Sequence, residues 1–595
     1  MTEKSCTPHE LDFIILDSDP EMAVVEDDIR VNLQKIGITV NVHKLDKETY
    51  IQTERNGSYS MLFTRTWGAP YDPHSYLASW EVPAHVEYSA IGGMEKPLKR
   101  EVLLQKITDV QQELNIVART QQWHNILNDI HQQAVFLPLW GTRIPYVINR
   151  RLDNFKPSQD AFTFPLKDVS IVSGSSTVTV SPGSGGALFT SVGPMNPHQY
   201  FPNQIFASGW IYEGLVSYGN DGIITPALAT DWNVVPYNRG QRATFKLREG
   251  VKFHDGSDWN CSVAKLNFDH ILSDTVRQRH SWYGTPNKLT NWSCNSNGDF
   301  ILETSVPFYP LLQELTYVRP LVFASAAAFS KGLDSNPDEH NSCNPGDFGS
   351  KWDFLEQNIT CMGLKAPIGT GPFKFVNRTY LPESNEEVDE MVIFASHTDY
   401  WGKVPDIKYL KIKYYEKTDD VYKALEEGEL DMVLGTGPLT SIQVRDIQFH
   451  NSTTFDVIRG EVLQHAILVM NTNREPTNDI NVRKAIIHGI NKAEFIDKEF
   501  AGLEQPVNQL LPFSAPYCDV DLNPKWDYDI EKALLLNCGG GNDNNGSISV
   551  GAIVTIVIAL FVVLGLGWFV IHMIDREKKG KPLFSPEQVD KGEEA

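Results

Sequence analysis

The chain lacks the residue patterns that order most enzyme active sites. Its 595 residues contain no H-E-x-x-H, no G-x-S-x-G and no phosphate-binding loop. Zinc-protease, serine-hydrolase and nucleotide-hydrolase chemistry therefore have no ordered set of groups to use, and the chain reads as a non-enzyme. Positive charge is also short: 52 Lys and Arg stand against 75 Asp and Glu, a formal net charge of −23. A nucleic acid partner would need a basic face, so that class is set aside. The acidic residues are spread along the chain, the pattern of a solvated surface. Cysteine is scarce, 7 in all, and no C-x-x-C pair occurs, which weakens a zinc or dithiol-redox reading. The opening stretch, MTEKSCTPHELDFIIL, has neither the basic nor the long apolar region of a secretory signal.

What is present points outside a cell. Cys261 and Cys294, Cys343 and Cys361, and Cys518 and Cys538 lie near one another in sequence. Three local disulfides are expected from that, with Cys6 odd. Asn56, Asn260, Asn291, Asn358, Asn377, Asn451 and Asn545 each open an N-x-S/T glycosylation sequon. Residues 548–571, ISVGAIVTIVIALFVVLGLGWFVI, carry no charge and are long enough to span a bilayer as a helix. The basic run that follows, Arg576 to Lys581, predicts a cytoplasmic tail over 572–595. The expected placement is thus a single-pass protein of the cell membrane with its bulk outside, tied to the membrane through the C-terminal helix. A tail-anchored protein with a cytosolic bulk is the alternative, opposed by the sequons, cysteines and tail charge.

Along the chain, Asp12–Leu16 has the pattern of a buried strand. Glu21–Ile36 reads as a helix closed by Gly37, and Ile38–Val42 alternates like a strand. Strand, helix, strand predicts a parallel βαβ unit opening a block that runs to 172. Residues 173–186, SGSSTVTVSPGSGG, have a linker composition. A second block spans 187–538, with a β-rich stretch at Ala243–Lys252 and a helix at Val482–Ile490. Residues 539–547, GGGNDNNGS, read as a flexible stalk.

Four strings occur in order in the second block: TFKLREGVKFHDGSDWN (244–260), APIGTGPFKF (366–375), VRKAIIHGINKAEFI (482–496) and YDIEKALLL (528–536). Together they resemble the extracellular solute-binding proteins of peptide and nickel ABC importers. VGPMNPHQYFPNQ (192–204), RQRHSW (277–282), QELTYVRP (313–320) and RTWGAPYDPHSYLASWEVPAH (65–85) are similar to the nickel-binding members. The resemblance implies an α/β, two-lobed periplasmic-binding-protein-like fold of type II with a hinge, beside the C-terminal membrane helix. The piece resembling the family's last part comes first here. That order implies a circular permutation whose original ends meet in the 173–186 linker, or a fragment of a tandem array. Lobe one would comprise 187–462 with 138–172, and lobe two 463–538 with 10–137.

The same resemblance implies a site. Arg279 and Arg319, on lobe one, match arginines that grip the carboxylates of a small metal chelate. His85, on lobe two, matches the histidine that approaches the metal. Trp67, Tyr71, Trp282 and Tyr200 match aromatic walls, and Ile205 stands where the nickel-binding members have a methionine. The chemistry is apt: imidazole suits nickel, and a guanidinium holds a carboxylate with two prongs. His74 and His198 follow proline in D-P-H and N-P-H and read as turn-packing residues. His280 is not taken as a ligand. The expected function is capture of a nickel-type chelate for uptake, with no intrinsic cofactor and an ABC-type permease as partner. A receptor for dipeptides or oligopeptides is the nearest rival, and a signalling or adhesion receptor that keeps the fold is a third.

Overall fold

The first elements follow from the hydrophobic pattern. Strand β1 (His9–Leu16) buries Leu11, Phe13 and Ile15 on one side and Ile14 and Leu16 on the other. Helix α1 (Met22–Gln34) buries Met22, Val25, Ile29 and Leu33, the stripe that a 3.6-residue repeat requires. Each such side chain contributes roughly 1.5–3 kcal/mol on leaving water. Strand β2 (Ile38–Leu45) then pairs parallel with β1, His9 opposite Ile38. The expected βαβ unit is present. Strand β3 (Met61–Arg65) joins β1 on its other edge, also parallel.

These data come from a computed structural model. It describes residues 8–538 apart from 18, 20, 68–71, 84, 160–161, 183–191, 193–194, 199–205, 220–222, 273–282, 330–365, 383–387, 436 and 501–502. The chain divides into two units, Met1–Gly539 and Gly540–Ala595, and the second lies wholly outside the described residues.

The first unit is built on an 11-stranded mixed sheet. From one edge its strands are Phe373–Tyr380, Asp389–Ser396, Tyr409–Lys413, Thr177–Pro182 and Met432–Leu434. Two long strands follow, Phe136–Asn149 and Phe455–Met470, and then β3, β1 and β2. Gln505–Pro506 pairs separately with Phe136–Asn149. A second, four-stranded antiparallel sheet (Ala229–Tyr237, Gly240–Leu247, Phe300–Thr304, Leu289–Cys294) packs its own core around Phe245, Phe268 and Phe323.

The two long strands are the hinge. Phe136, Leu137, Leu139 and Trp140 pack into the cores of lobe two, whereas Ile144, Tyr146 and Ile148 pack into lobe one. The partner strand does the same in reverse, from Phe455 and Leu463 to Ala466–Met470. Their pairing is irregular where the lobes change over, between Arg459 and Gln464. Gly141 sits at that crossing, where a Cβ would lie 2.7 Å from the Val462 side chain. The architecture is a mixed α/β fold of two lobes, as expected.

Two expectations are corrected, and a third falls on residues that are not described. The 173–186 stretch is not all linker: Thr177–Pro182 is a strand between Tyr409–Lys413 and Met432–Leu434, with Val178 and Val180 fully buried. Its Thr-Val-Thr-Val alternation outweighs the Ser/Gly composition around it. Cys518 is not bonded to Cys538: it is free and buried, whereas Cys538 is disulfide-bonded. Cys261–Cys294 is formed as expected, and Cys343 and Cys361 lie outside the described residues. Finally, no helix among the described residues is long and apolar enough to cross a membrane. The stalk, the 548–571 run and the tail all lie outside those residues.

Candidate functional site in the interlobe crevice

The candidate residues begin just past Arg65, the C-terminal end of β3, an end at which α/β sheets commonly place ligands. The chain leaving β3 is fixed before it reaches the crevice. Arg65 pairs with Asp19 at 2.8 Å and Glu21 at 2.7 Å, all largely buried. Thr66 exchanges two hydrogen bonds with His465 on the hinge strand, each 2.9 Å. Trp67 is next. Its ring meets Tyr76 edge-on at 5.9 Å, Phe162 at 6.5 Å and His85 at 5.9 Å.

His85 precedes the short helix Val86–Ala90, whose supports are also fixed. The Tyr76 hydroxyl donates to Glu87 at 2.5 Å, and the Tyr59 and Ser89 hydroxyls share a 2.9 Å hydrogen bond. Burial pushes the His85 imidazole down to about 4, and the positive charges of Arg319 and then Arg55 add to the shift. His85 is therefore neutral near pH 7, the form that offers a nitrogen lone pair. The charge of Arg319, 234 residues further along the chain, thus bears on His85. Arg55 comes from the helix Lys47–Asn56, capped by Asp46 at one end and by Gly57 in the left-handed region at the other.

Of the expected site residues the structure brings Trp67 and His85 into ring contact, and the charge of Arg319 bears on His85. Tyr71, Tyr200, Ile205, Arg279 and Trp282 lie outside the described residues, as does His280. Arg55 and Phe162 were not legible in sequence, for neither sits in a motif. Among the described residues no group of three or more His, Cys, Asp or Glu is placed to hold a metal ion.

His74 does more than pack a turn. Asp72 caps its backbone N–H at 2.8 Å, as the D-P-H sequence suggests, and the ring is fully buried. Its Nε2 lies 2.5 Å from Glu314 Oε1 across the crevice, and Glu314 also accepts from the Thr285 amide at 2.5 Å. Nearby, Trp123 donates to the Tyr309 hydroxyl at 3.0 Å, and the Tyr309 amide donates to the Gln111 carbonyl at 3.1 Å. The Arg119 guanidinium lies 4.1 Å from the centre of the Tyr309 ring. This clasp joins lobe two to lobe one beside the site. His198 also exceeds its expected part: its Nδ1 lies 2.9 Å from Nδ1 of His270, both rings buried.

Comparison with known proteins identifies the family. The model of "Bacterial extracellular solute-binding proteins, family 5 Middle" matches residues 224–559, more than half of the chain. The chain belongs to this family of solute-binding proteins. The nickel-binding periplasmic protein of Escherichia coli K12 is 31% identical over 346 residues, 58% of each chain. The dipeptide-binding protein of the same organism is 24% identical over 400 residues, 63% of this chain and 67% of its own. Among solved structures, NikA from Brucella suis in complex with Fe(III)-EDTA is 28% identical, with a TM-score of 0.48, covering 62% of this chain and 66% of its own. The chain thus spans 58% of the length of its nickel-binding relative. These family 5 relatives are named as binding proteins, not enzymes. The expected single-pass placement in the cell membrane is overturned, since the nickel-binding relative is periplasmic and no described helix can cross a membrane.

Proposed function

We propose that the protein captures a small, carboxylate-bearing metal chelate of the nickel type between its lobes and delivers it to an ABC-type permease. The observation that carries this reading is a buried, neutral His85 that feels the charge of Arg319 and has the Trp67 ring 5.9 Å away. A guanidinium and an imidazole acting together suit a metal already wrapped in carboxylates: the first grips an oxygen pair, the second approaches the metal. Arg279 would supply the second guanidinium, and Tyr71, Trp282, Tyr200 and Ile205 the remaining walls, by their motif positions.

Capture then works by closure. The chelate meets arginine on lobe one. His85 and Trp67 arrive with lobe two, and only the closed form offers both sets of contacts. A guest that bridges the lobes has the differential affinity that closure requires. The strand Thr177–Pro182, which joins the two sequence blocks inside one sheet, supports reading the chain as a permuted copy of the family fold.

Calorimetric titration of the full chain with nickel–histidine and, separately, with dialanine tests the reading. The chelate should bind saturably. His85→Ala and Arg319→Ala should each weaken it by about 10- to 100-fold, the value of one charge-assisted or metal contact. Saturable binding of dialanine with none of the chelate would replace this reading with the peptide one.

A further inference from the structure

A second cavity, of about 500 Å³ measured out to its open mouth, lies beside the clasp. One wall comes from Leu77, Ala78 and Glu81 and from the helix Arg100–Val110 with the Gln111 that ends it. The other comes from Gly284 and the short helix Thr285–Lys288, which leads into the four-stranded sheet. Both walls are held in place. The Gln111 carbonyl accepts from the Tyr309 amide at 3.1 Å. Gly284 takes a φ of +70° and has no room for a Cβ beside the Glu314 carboxyl.

The buried part of the lining is mostly apolar. Leu77 is fully buried and Ile107 is 2% exposed. The two charged residues are less covered, Glu81 being exposed and Lys288 half-buried. Gln111 is the one polar side chain of the lining that is nine-tenths buried, at 6% exposure. Its carboxamide makes no hydrogen bond to the described residues; its one bond there runs through the backbone carbonyl. The nearest hydroxyl in sequence, Thr108, already donates to the Leu104 carbonyl at 3.0 Å. A polar group so placed has to be met from within the cavity, by water or by a guest.

The chemistry of that group selects the guest. A carboxamide is neutral, and it both donates and accepts. An ion set against it would leave water for a wall with no buried opposite charge, which is strongly unfavourable. A second carboxamide satisfies it fully: the guest N–H donates to Gln111 Oε1, and Gln111 Nε2 donates to the guest carbonyl. Leu77 and Ile107 then receive an aliphatic body. We propose that this cavity is a binding site for a small aliphatic primary carboxamide. The site is distinct from the crevice of Trp67 and His85 and does not depend on what that crevice binds.

Isobutyramide is the probe, followed by saturation-transfer NMR as it is titrated into the full chain. Saturable binding is expected. Gln111→Leu should weaken it by about 10-fold or more, the value of two neutral hydrogen bonds. Leu104→Trp, at a half-buried position of the lining, fills the cavity and should abolish binding, so the site stays testable even where Gln111→Leu impairs folding. Isobutyrate, which is charged, and methyl isopropyl ketone, which accepts but does not donate, should both bind more weakly than the amide. Arg319→Ala should leave amide binding unchanged. The proposal is overturned by an absence of saturable transfer to isobutyramide or by equal binding of either analogue. It is equally overturned by binding that Gln111→Leu and Leu104→Trp both spare, or that Arg319→Ala abolishes.

Discussion

Replacing His74 with phenylalanine removes one interlobe hydrogen bond and little else. The ring is fully buried and meets Phe308 edge-on at 5.7 Å and Tyr309 at 6.2 Å, contacts that a phenyl group can keep. What is lost is the 2.5 Å bond from Nε2 to Glu314. Glu314 keeps the Thr285 amide, so its carboxyl is not stranded. A hydrogen bond to a charged group is worth about 1.5–3 kcal/mol, so about 2 kcal/mol is withdrawn, and only from the closed form, where the lobes meet. That corresponds to about a 30-fold shift of the open–closed equilibrium toward open. Small-angle scattering of the unliganded variant should show a larger radius of gyration than wild type. The chelate dissociation constant should rise by up to the same factor, because the binding-competent form is rarer. Unchanged scattering and unchanged affinity, with only a lower melting temperature, would refute the claim that this bond holds the lobes together.

Two further outcomes follow from burial. His85 is held near 4 when folded against an ordinary value of 6.5, so the folded state binds fewer protons than the unfolded one between those limits. Its contribution to stability is fully present above pH 6.5 and is lost as pH falls toward 4. Chelate binding should be flat from pH 8 to 6 and fail as the imidazole protonates near 4. Arg319→Gln should raise that midpoint, as read by NMR titration of the ring. Cys518 is 1% exposed, and burial pushes its thiol well up. It should resist an aromatic disulfide reagent in the native protein and react once urea unfolds the chain, and peptide mapping should find Cys538 bonded to a cysteine other than Cys518.

Local pattern carried the elements whose stabilising contacts are also local. β1, α1 and β2 were legible because the apolar residues repeat at the periods of strand and helix, and their partners lie within the same forty residues. Thr177–Pro182 was obscured because Ser, Gly and Pro on both sides outvoted two valines; its neighbours in the sheet lie more than two hundred residues away. Pairing Cys518 with Cys538 by proximity failed for the same reason, since Cys518 lies in a core assembled from distant segments such as Ile107, Trp123 and Leu510. The motif match marked Trp67, His85 and Arg319. It could not mark Glu314 as the partner of His74, because 240 residues separate them and only the folded crevice brings them together.

The order of strands also dictates when the protein can be finished. β3 has the hinge strand Phe455–Met470 as its neighbour, and Thr177–Pro182 waits between strands that begin at Tyr409 and Met432. On the ribosome, β3 and Thr177–Pro182 therefore emerge with open sheet edges whose partners here have yet to be made. Both lobes become completable only after residue 470 has been made, so a chain truncated before that point should be a ready target for chaperones and proteases rather than a smaller working receptor.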